Sequence, residues 1–227
     1  MLELVKAGGW PMLPLLLLSA VALAIIVERF WTLRRSQVLP PGLGREVREW
    51  VGRGGHLEPA HIESLRNNSP LGALLAGVLD MRHHPRDEMR ERVEDVGRHQ
   101  AFRMERYLNA LGTIAGAGPL LGLFGTVVGM IQMFLGIMDV GVGDVNELAG
   151  GIGKALVCAA AGMVVAVPAL MFHRFFRGRI DGYIVEMEHE AIALMDAIDP
   201  RHRRAPGAAS PVAGGQAVHG AGAPAGA

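Results

Sequence analysis

Leu108–Met138 reads LNALGTIAGAGPLLGLFGTVVGMIQMFLGIM, and this stretch decides the fold. It carries no Asp, Glu, Lys, Arg or His over about 31 residues, more than the roughly 20 that cross a hydrocarbon core of about 30 Å, so it reads as a membrane-spanning helix. Glycine recurs at Gly112, Gly116, Gly118, Gly122, Gly125, Gly129 and Gly136. Each glycine weakens a helix, so this many imply that bare backbone is needed for close approach to another helix. Three overlapping pairs at i, i+4 (Gly112/Gly116, Gly118/Gly122, Gly125/Gly129) are expected to line helix contacts in a ring of subunits, surrounded by protein rather than lipid.

Working outward, Leu148–Phe172 is a second long apolar run, and the two form a membrane hairpin. The spans are assigned to 108–138 and 150–173, with 139–149 as the connecting loop. A third run, Ala7–Val27, is free of charge and ends at Glu28-Arg29; the first span is assigned to 1–28. Lys6 is offset by Glu3 and no small-x-small cleavage site follows, so this run reads as a retained helix rather than a signal peptide.

Charge orients the spans. Arg29, Arg34 and Arg35 follow the first, Arg98, Arg103 and Arg106 precede the second, and Arg174, Arg177 and Arg179 follow the third. The hairpin connection carries Asp139, Asp144 and Glu147 and no Lys or Arg. The positive-inside rule then predicts a periplasmic N-terminus, a cytoplasmic segment over 29–107, a periplasmic loop and a cytoplasmic C-terminus. Within 29–107, Arg86–Leu111 reads as one charged helix running unbroken into the second span, with Met89, Val93, Val96, Met104, Leu108 and Leu111 at helical spacing. Ile180, Ile184, Met187, Ala191, Leu194 and Ile198 continue that period over 174–199, so both spans are expected to project as cytoplasmic extensions. The tail, 200–227, is mostly Gly, Ala and Pro and is expected to be disordered. The fold class is an all-α membrane protein with three spans.

Composition excludes several functions. Lys and Arg together number 22 and balance 22 Asp and Glu, which removes the basic footprint of a nucleic-acid binder. Cys158 is the single cysteine, so no internal disulfide framework exists. The nine histidines show no paired ligand spacing, which leaves no metal site to predict. No phosphate-cradling loop followed by Lys-Ser/Thr occurs, and Ser19 and Ser69 lack an identifiable base, so neither ATP chemistry, a cofactor nor an enzyme activity is expected.

Within the second span, Pro119, Gly122, Thr126, Gly129 and Met133 fall at intervals of three or four residues and share a face. Thr126 is the only hydroxyl on that face in the outer half; it suits either a packing residue bonded to its own i−4 carbonyl or a polar group on an ion path. Lys154 is the only ionisable residue inside the third span. About 9 Å from the outer end, it suits a snorkelling side chain as well as an electrostatic gate or counter-charge. Glu28 beside Arg29 reads as an interfacial ion pair, and Pro119 and Pro168 as helix-bending prolines. Gly112, Gly116, Gly118 and Gly125, with Gly162 and Pro168 of the third span, are assigned to helix packing.

The run Ala117-Gly118-Pro119-Leu120-Leu121-Gly122-Leu123-Phe124-Gly125-Thr126-Val127-Val128-Gly129-Met130, with Gly151-Ile152-Gly153-Lys154-Ala155-Leu156 and Ala161-Gly162-Met163-Val164-Val165-Ala166-Val167-Pro168-Ala169, closely resembles the MotA/TolQ/ExbB proton-channel family. Trp10-Pro11 through Leu15-Leu16-Leu17-Leu18-Ser19 to Val27-Glu28-Arg29 is similar to the ExbB/TolQ branch, which three spans also fit better than the four-span MotA branch. The resemblance covers about residues 5–199, outside the tail and the Pro40–Pro70 region. It implies an inner-membrane motor: a pentamer enclosing an ExbD- or TolR-like dimer whose intramembrane aspartate carries the proton, acting on a TonB- or TolA-like periplasmic arm. It also implies an ion path on which Thr126 faces the aspartate, with Pro119, Gly122 and Gly129 beside it. From the third span it brings the line Gly151, Lys154, Cys158, Ala161 and Val165, with Ala159 at a neighbouring position. Many members carry threonine where this chain has Ala159, and some carry glutamate at Lys154. One polar element of the usual path is thus missing, and a non-conducting oligomeric scaffold is the alternative expectation. The permease half of an ATP-driven transporter is disfavoured, since the large loop lacks a short coupling helix.

Overall fold

In a computed structural model, residues 9–53, 58–140 and 145–199 are described, and every regular element among them is a helix. Three helices are long and apolar enough to cross a membrane. The first, α1 (Met12–Thr32), starts directly after Trp10-Pro11, where proline's fixed φ suits the first turn of a helix. It runs through Glu28-Arg29 to Thr32, past the expected end at residue 28. Four shorter helices follow: α2 (Arg35–Val38), α3 (Leu43–Gly52), α4 (Pro59–Asn68) and α5 (Pro70–Asp80). Then come α6 (Arg86–Glu105), α7 (Leu108–Val140) and α8 (Val145–Ile198). The two hairpin helices end at Val140 and begin at Val145, inside the segment 139–149 assigned to their connection. The tail expected to be disordered lies outside the described residues.

α8 is one continuous helix of 54 residues, or about 80 Å at 1.5 Å per residue. It carries the third span and the amphipathic segment after it; α1, α3, α5, α6 and α7 pack along its length, and α4 packs on α5. The short helices occupy the region that sequence pattern had left blank. At the centre of this charged end sits α5, whose Leu74, Leu75, Ala76, Val78 and Leu79 have no exposed surface. A helix apolar on all sides belongs in a core, and 11 residues are too few to span a bilayer. Its start is set by Ser69, whose Oγ accepts the backbone N–H of Gly72 at 3.0 Å, with Pro70 at the first helical position. Gly42 precedes α3 at φ 84°, a left-handed turn open to glycine without strain. Gly44 leaves room for the Glu190 carboxylate, which forms an ion pair with Arg48 and ties α3 to α8.

The expected unbroken helix from Arg86 into the second span is interrupted at Arg106 and Tyr107, which separate α6 from α7. The cause is a side chain competing for the backbone. Arg29, only 4% exposed, donates from Nη1 to the Met104 carbonyl at 2.8 Å. Arg106 keeps helical angles (φ −44°, ψ −44°), so hydrogen bonding is interrupted without a reversal of direction.

Candidate functional site

The glycine-rich face of α7 meets α8 of the same chain. A Cβ at Gly118 would stand 3.0 Å from the Gly162 carbonyl and 3.0 Å from the Ala166 side chain. One at Gly122 would stand 3.2 Å from the Cys158 and Ala159 carbonyls, and one at Gly129 3.3 Å from Ala155. From the other side, a Cβ at Gly162 would come within 2.6 Å of the Gly118 carbonyl. The Gly162 contact leaves no room for a methyl group and the others would push the neighbouring helix back by a few tenths of an ångström, so the glycines set how closely the two backbones pack. For Gly118, Gly122, Gly125 and Gly129 this places within one chain contacts expected between subunits. Of the six residues assigned to packing, Gly118, Gly125 and Gly162 serve the intrachain contact, and Gly112 abuts His173. Gly116 has nothing within 4 Å of its Cβ position, and Pro168 is exposed.

α1 then distinguishes the two flanks of the hairpin. Its Met12 and Leu15 are buried against Cys158, which has no exposed surface, with Leu121, Val157 and Ala161 packed around them. Gly125 lies under the Cys158 sulfur with Pro11 beside it, and Trp10 meets Phe124 edge-on at 6.0 Å. At 100° per residue, Lys154 and Val165 fall on this same flank of α8, while Ala159 falls on the opposite one. On α7, Pro119 and Thr126 lie away from the Leu121–Gly125 flank that α1 covers.

The seven residues expected on an ion path are therefore divided. Gly122 and Gly129 are buried between α7 and α8, and Cys158 is closed off by α1. Lys154 is exposed near the N-terminal end of α8, on the covered flank. Pro119 is exposed, and Thr126 and Ala159 half-buried, on the uncovered flank. The expected line Gly151, Lys154, Cys158, Ala161 and Val165 is not an open face: Cys158 and Ala161 pack on α1, and Gly151 lies against Met133. The Thr126 hydroxyl donates to its own Leu123 carbonyl at 2.6 Å, an i−3 bond rather than the expected i−4. That bond uses the hydroxyl hydrogen and leaves the oxygen lone pairs on the uncovered flank; turning the hydroxyl frees it as a donor.

A polar junction at the base of the spans was only partly legible. Arg29 Nε meets Glu28 at 2.6 Å, as expected of an ion pair, and Thr32 donates to Glu28 at 2.9 Å. The Arg29 guanidinium also lies over the Tyr107 ring at 4.9 Å and holds the Met104 carbonyl. Nearby, Tyr183 donates to the Leu33 carbonyl at 3.1 Å and accepts from Arg179 at 2.7 Å, while Phe30 packs among Phe172, Phe175 and Phe176. Among the described residues no group of three or more His, Cys, Asp or Glu side chains is placed to hold a metal.

The model of the MotA/TolQ/ExbB proton channel family matches residues 66–189, more than half of the chain and all of the α7–α8 contact. The chain belongs to this family. Among its relatives, an ExbB-like 1 biopolymer transport protein of Synechocystis is 35% identical over 175 residues, 74% of this chain and 66% of that protein. Biopolymer transport protein exbB1 of Vibrio cholerae is 31% identical over 184 residues, 78% of each chain. ExbB of Neisseria gonorrhoeae is 29% identical over 193 residues, 77% of this chain and 86% of that protein. The chain thus spans just under two thirds of the Synechocystis relative and more of the other two, and is ExbB-like within the family.

Proposed function

We propose that this chain is the ring-forming subunit of an ExbB/TolQ-type inner-membrane motor that couples proton-motive force to work on a periplasm-spanning partner. In this reading five copies enclose a single-span ExbD- or TolR-like dimer. The N-terminus is periplasmic, the C-terminus is cytoplasmic, and α6 and the second half of α8 project into the cytoplasm. A TonB- or TolA-like arm receives the work. The observation that carries the reading is the division of the hairpin: α1 covers one flank and leaves Pro119, Thr126 and Ala159 on the other. A central ion path on that uncovered flank has Thr126 as its hydrogen-bonding side chain, with Gly122 and Gly129 holding the helix in place from behind.

A partner carboxylate that must shed and regain a proton inside hydrocarbon is costly to ionise without a donor. Thr126→Val keeps the shape of the side chain and removes that donor. A lost hydrogen bond to a charged group is worth about 1.5–3 kcal/mol, which corresponds to a fall of roughly ten- to hundredfold in proton flux. Vesicles reconstituted with the partner should show that fall while the oligomer stays intact, and Lys154→Gln, on the covered flank, should stay within about twofold of wild type. Wild-type flux in Thr126→Val would remove Thr126 from the path. It would favour the second reading, a non-conducting scaffold, which Ala159 motivates because its methyl neither donates nor accepts.

A further inference from the structure

Beyond the apolar spans, α6 and α8 each bury one side in the chain's own core and turn the other outward. On α6 the buried side is Met89, Val93, Gly97, Gln100 and Met104. Phe102 lies directly opposite it and is 72% exposed, a large aromatic side chain on an otherwise charged face. On α8 the buried side is Phe176, Ile180, Tyr183 and Met187. Its outward side carries Gly178 and Gly182, with nothing within 4 Å of either Cβ position, and then Val185, 65% exposed. Two contacts fix the register of these antiparallel segments. Gly112 abuts His173, and Arg86 pairs with Asp196 at 2.6 Å. Between these ties, equal rise per residue puts Phe102 level with Gly182 and Arg106 level with Gly178.

Basic residues flank the first feature and acidic residues stand beside the second, where Arg174 and Arg177 are also exposed next to Gly178. Arg98 and Arg106 stand four residues to either side of Phe102. Among the described residues Arg98 has only an exposed contact to Asp95 at 3.7 Å, and Arg106 lies over the Tyr107 ring. On α8, Asp181 and Glu188 flank Gly182 and Val185, and neither forms an ion pair among the described residues. Since α6 and α8 turn these faces outward from a shared core, the two cannot meet within one chain. In a ring whose axis lies along the membrane normal, however, equivalent residues of every copy stand at equal depth. We propose that Phe102 of one copy seats in the notch at Gly178 and Gly182 on α8 of the next copy, with Arg98 and Arg106 set against the neighbour's acidic pair. The contact is head-to-tail, so it repeats around a closed ring. It rests on the ring-forming reading above and specifies which surfaces the ring uses outside the membrane.

The test uses full-length protein in a Cys158→Ala background, so that introduced thiols are the only ones. Phe102→Cys with Gly182→Cys in one chain should give a ladder of covalent oligomers when membranes are oxidised. Either single variant should give none, and the two singles co-expressed should give dimers alone. Native mass spectrometry of unoxidised protein separates the two ideas. An oligomer without the ladder overturns this contact and leaves the ring standing, whereas monomers alone overturn both. Dimers from Phe102→Cys by itself indicate two-fold pairing and also overturn it. A Cβ at Gly182 meets nothing within 4 Å among the described residues, so Gly182→Leu should leave helical melting unchanged and lower the oligomer fraction at least about fivefold. An unchanged fraction refutes the notch.

Discussion

Replacing Arg29 tests whether a buried guanidinium holds α1 to the junction of α6 and α7. Arg29→Met keeps most of the side-chain volume and leaves the Met104 carbonyl without its 2.8 Å donor. An unsatisfied partner of a charged donor costs about 1.5–3 kcal/mol. The Tyr107 ring, 4.9 Å from the guanidinium, adds about 0.5–2 kcal/mol of cation–π attraction. The Glu28 pair adds little, since Glu28 is 44% exposed and solvent screens it to about 0–1 kcal/mol. Against these losses, a neutral side chain no longer bears the desolvation cost of a cation that is 4% exposed. The net expectation is a loss of about 2–3 kcal/mol, or a fall in Tm of roughly 5–10 °C for a chain of this size. Thermal unfolding followed by circular dichroism in mild detergent measures it. Glu28→Gln is the control and should shift Tm by no more than about 2–4 °C, corresponding to a loss under about 1 kcal/mol. Equal shifts in the two variants would mean that the exposed ion pair, not the carbonyl contact, matters. No shift in Arg29→Met would refute the reasoning outright.

Two further outcomes are expected. Gly125→Ala drives a methyl group into the Cys158 sulfur, an overpacking cost of about 1–3 kcal/mol, and Cys158→Gly should recover most of it. A double-mutant cycle by detergent unfolding should give a coupling of at least about 0.5 kcal/mol, and additive effects would show that the two do not touch. For topology, a cysteine at Glu94 should label only from the cytoplasmic side and one at Ala149 only from outside. The reverse pattern would invert the proposed orientation.

Length and polarity exposed the spans, because a charge-free run beyond about 20 residues has few alternatives. Gly112, Gly118, Gly122, Gly125 and Gly129 do stand in close helix contact while Gly116 does not, but spacing alone carries no information about whose helix is met. Gly118, Gly122 and Gly129 could have faced a neighbouring copy equally well; only the antiparallel register of α7 and α8 assigns them to the same chain. α5 was missed for the opposite reason. Leu71–Leu79 is apolar on every side and too short to span, and such a run has no period that separates a buried helix from a buried strand. The break at Arg106-Tyr107 left no local signal either, since the competing donor, Arg29, lies 75 positions from the carbonyl it takes.

The candidate site has the same limit, and this decides which expectations carry weight. Helical spacing put Cys158 and Lys154 on one line of the third span, and that line exists on α8. Whether it faces an ion path depends on which side α1 covers, a property of three helices at once. Met12 and Leu15 close over Cys158 and bury it against α1. Ala159 gains importance by the same geometry, because it shares the uncovered flank with Thr126. In the proposed ion path, the methyl group of Ala159 leaves Thr126 as the hydrogen-bonding side chain on that flank. Along the proposed ion path, proton exchange would then depend on the Thr126 hydroxyl, which must leave the Leu123 carbonyl before it can donate to anything else.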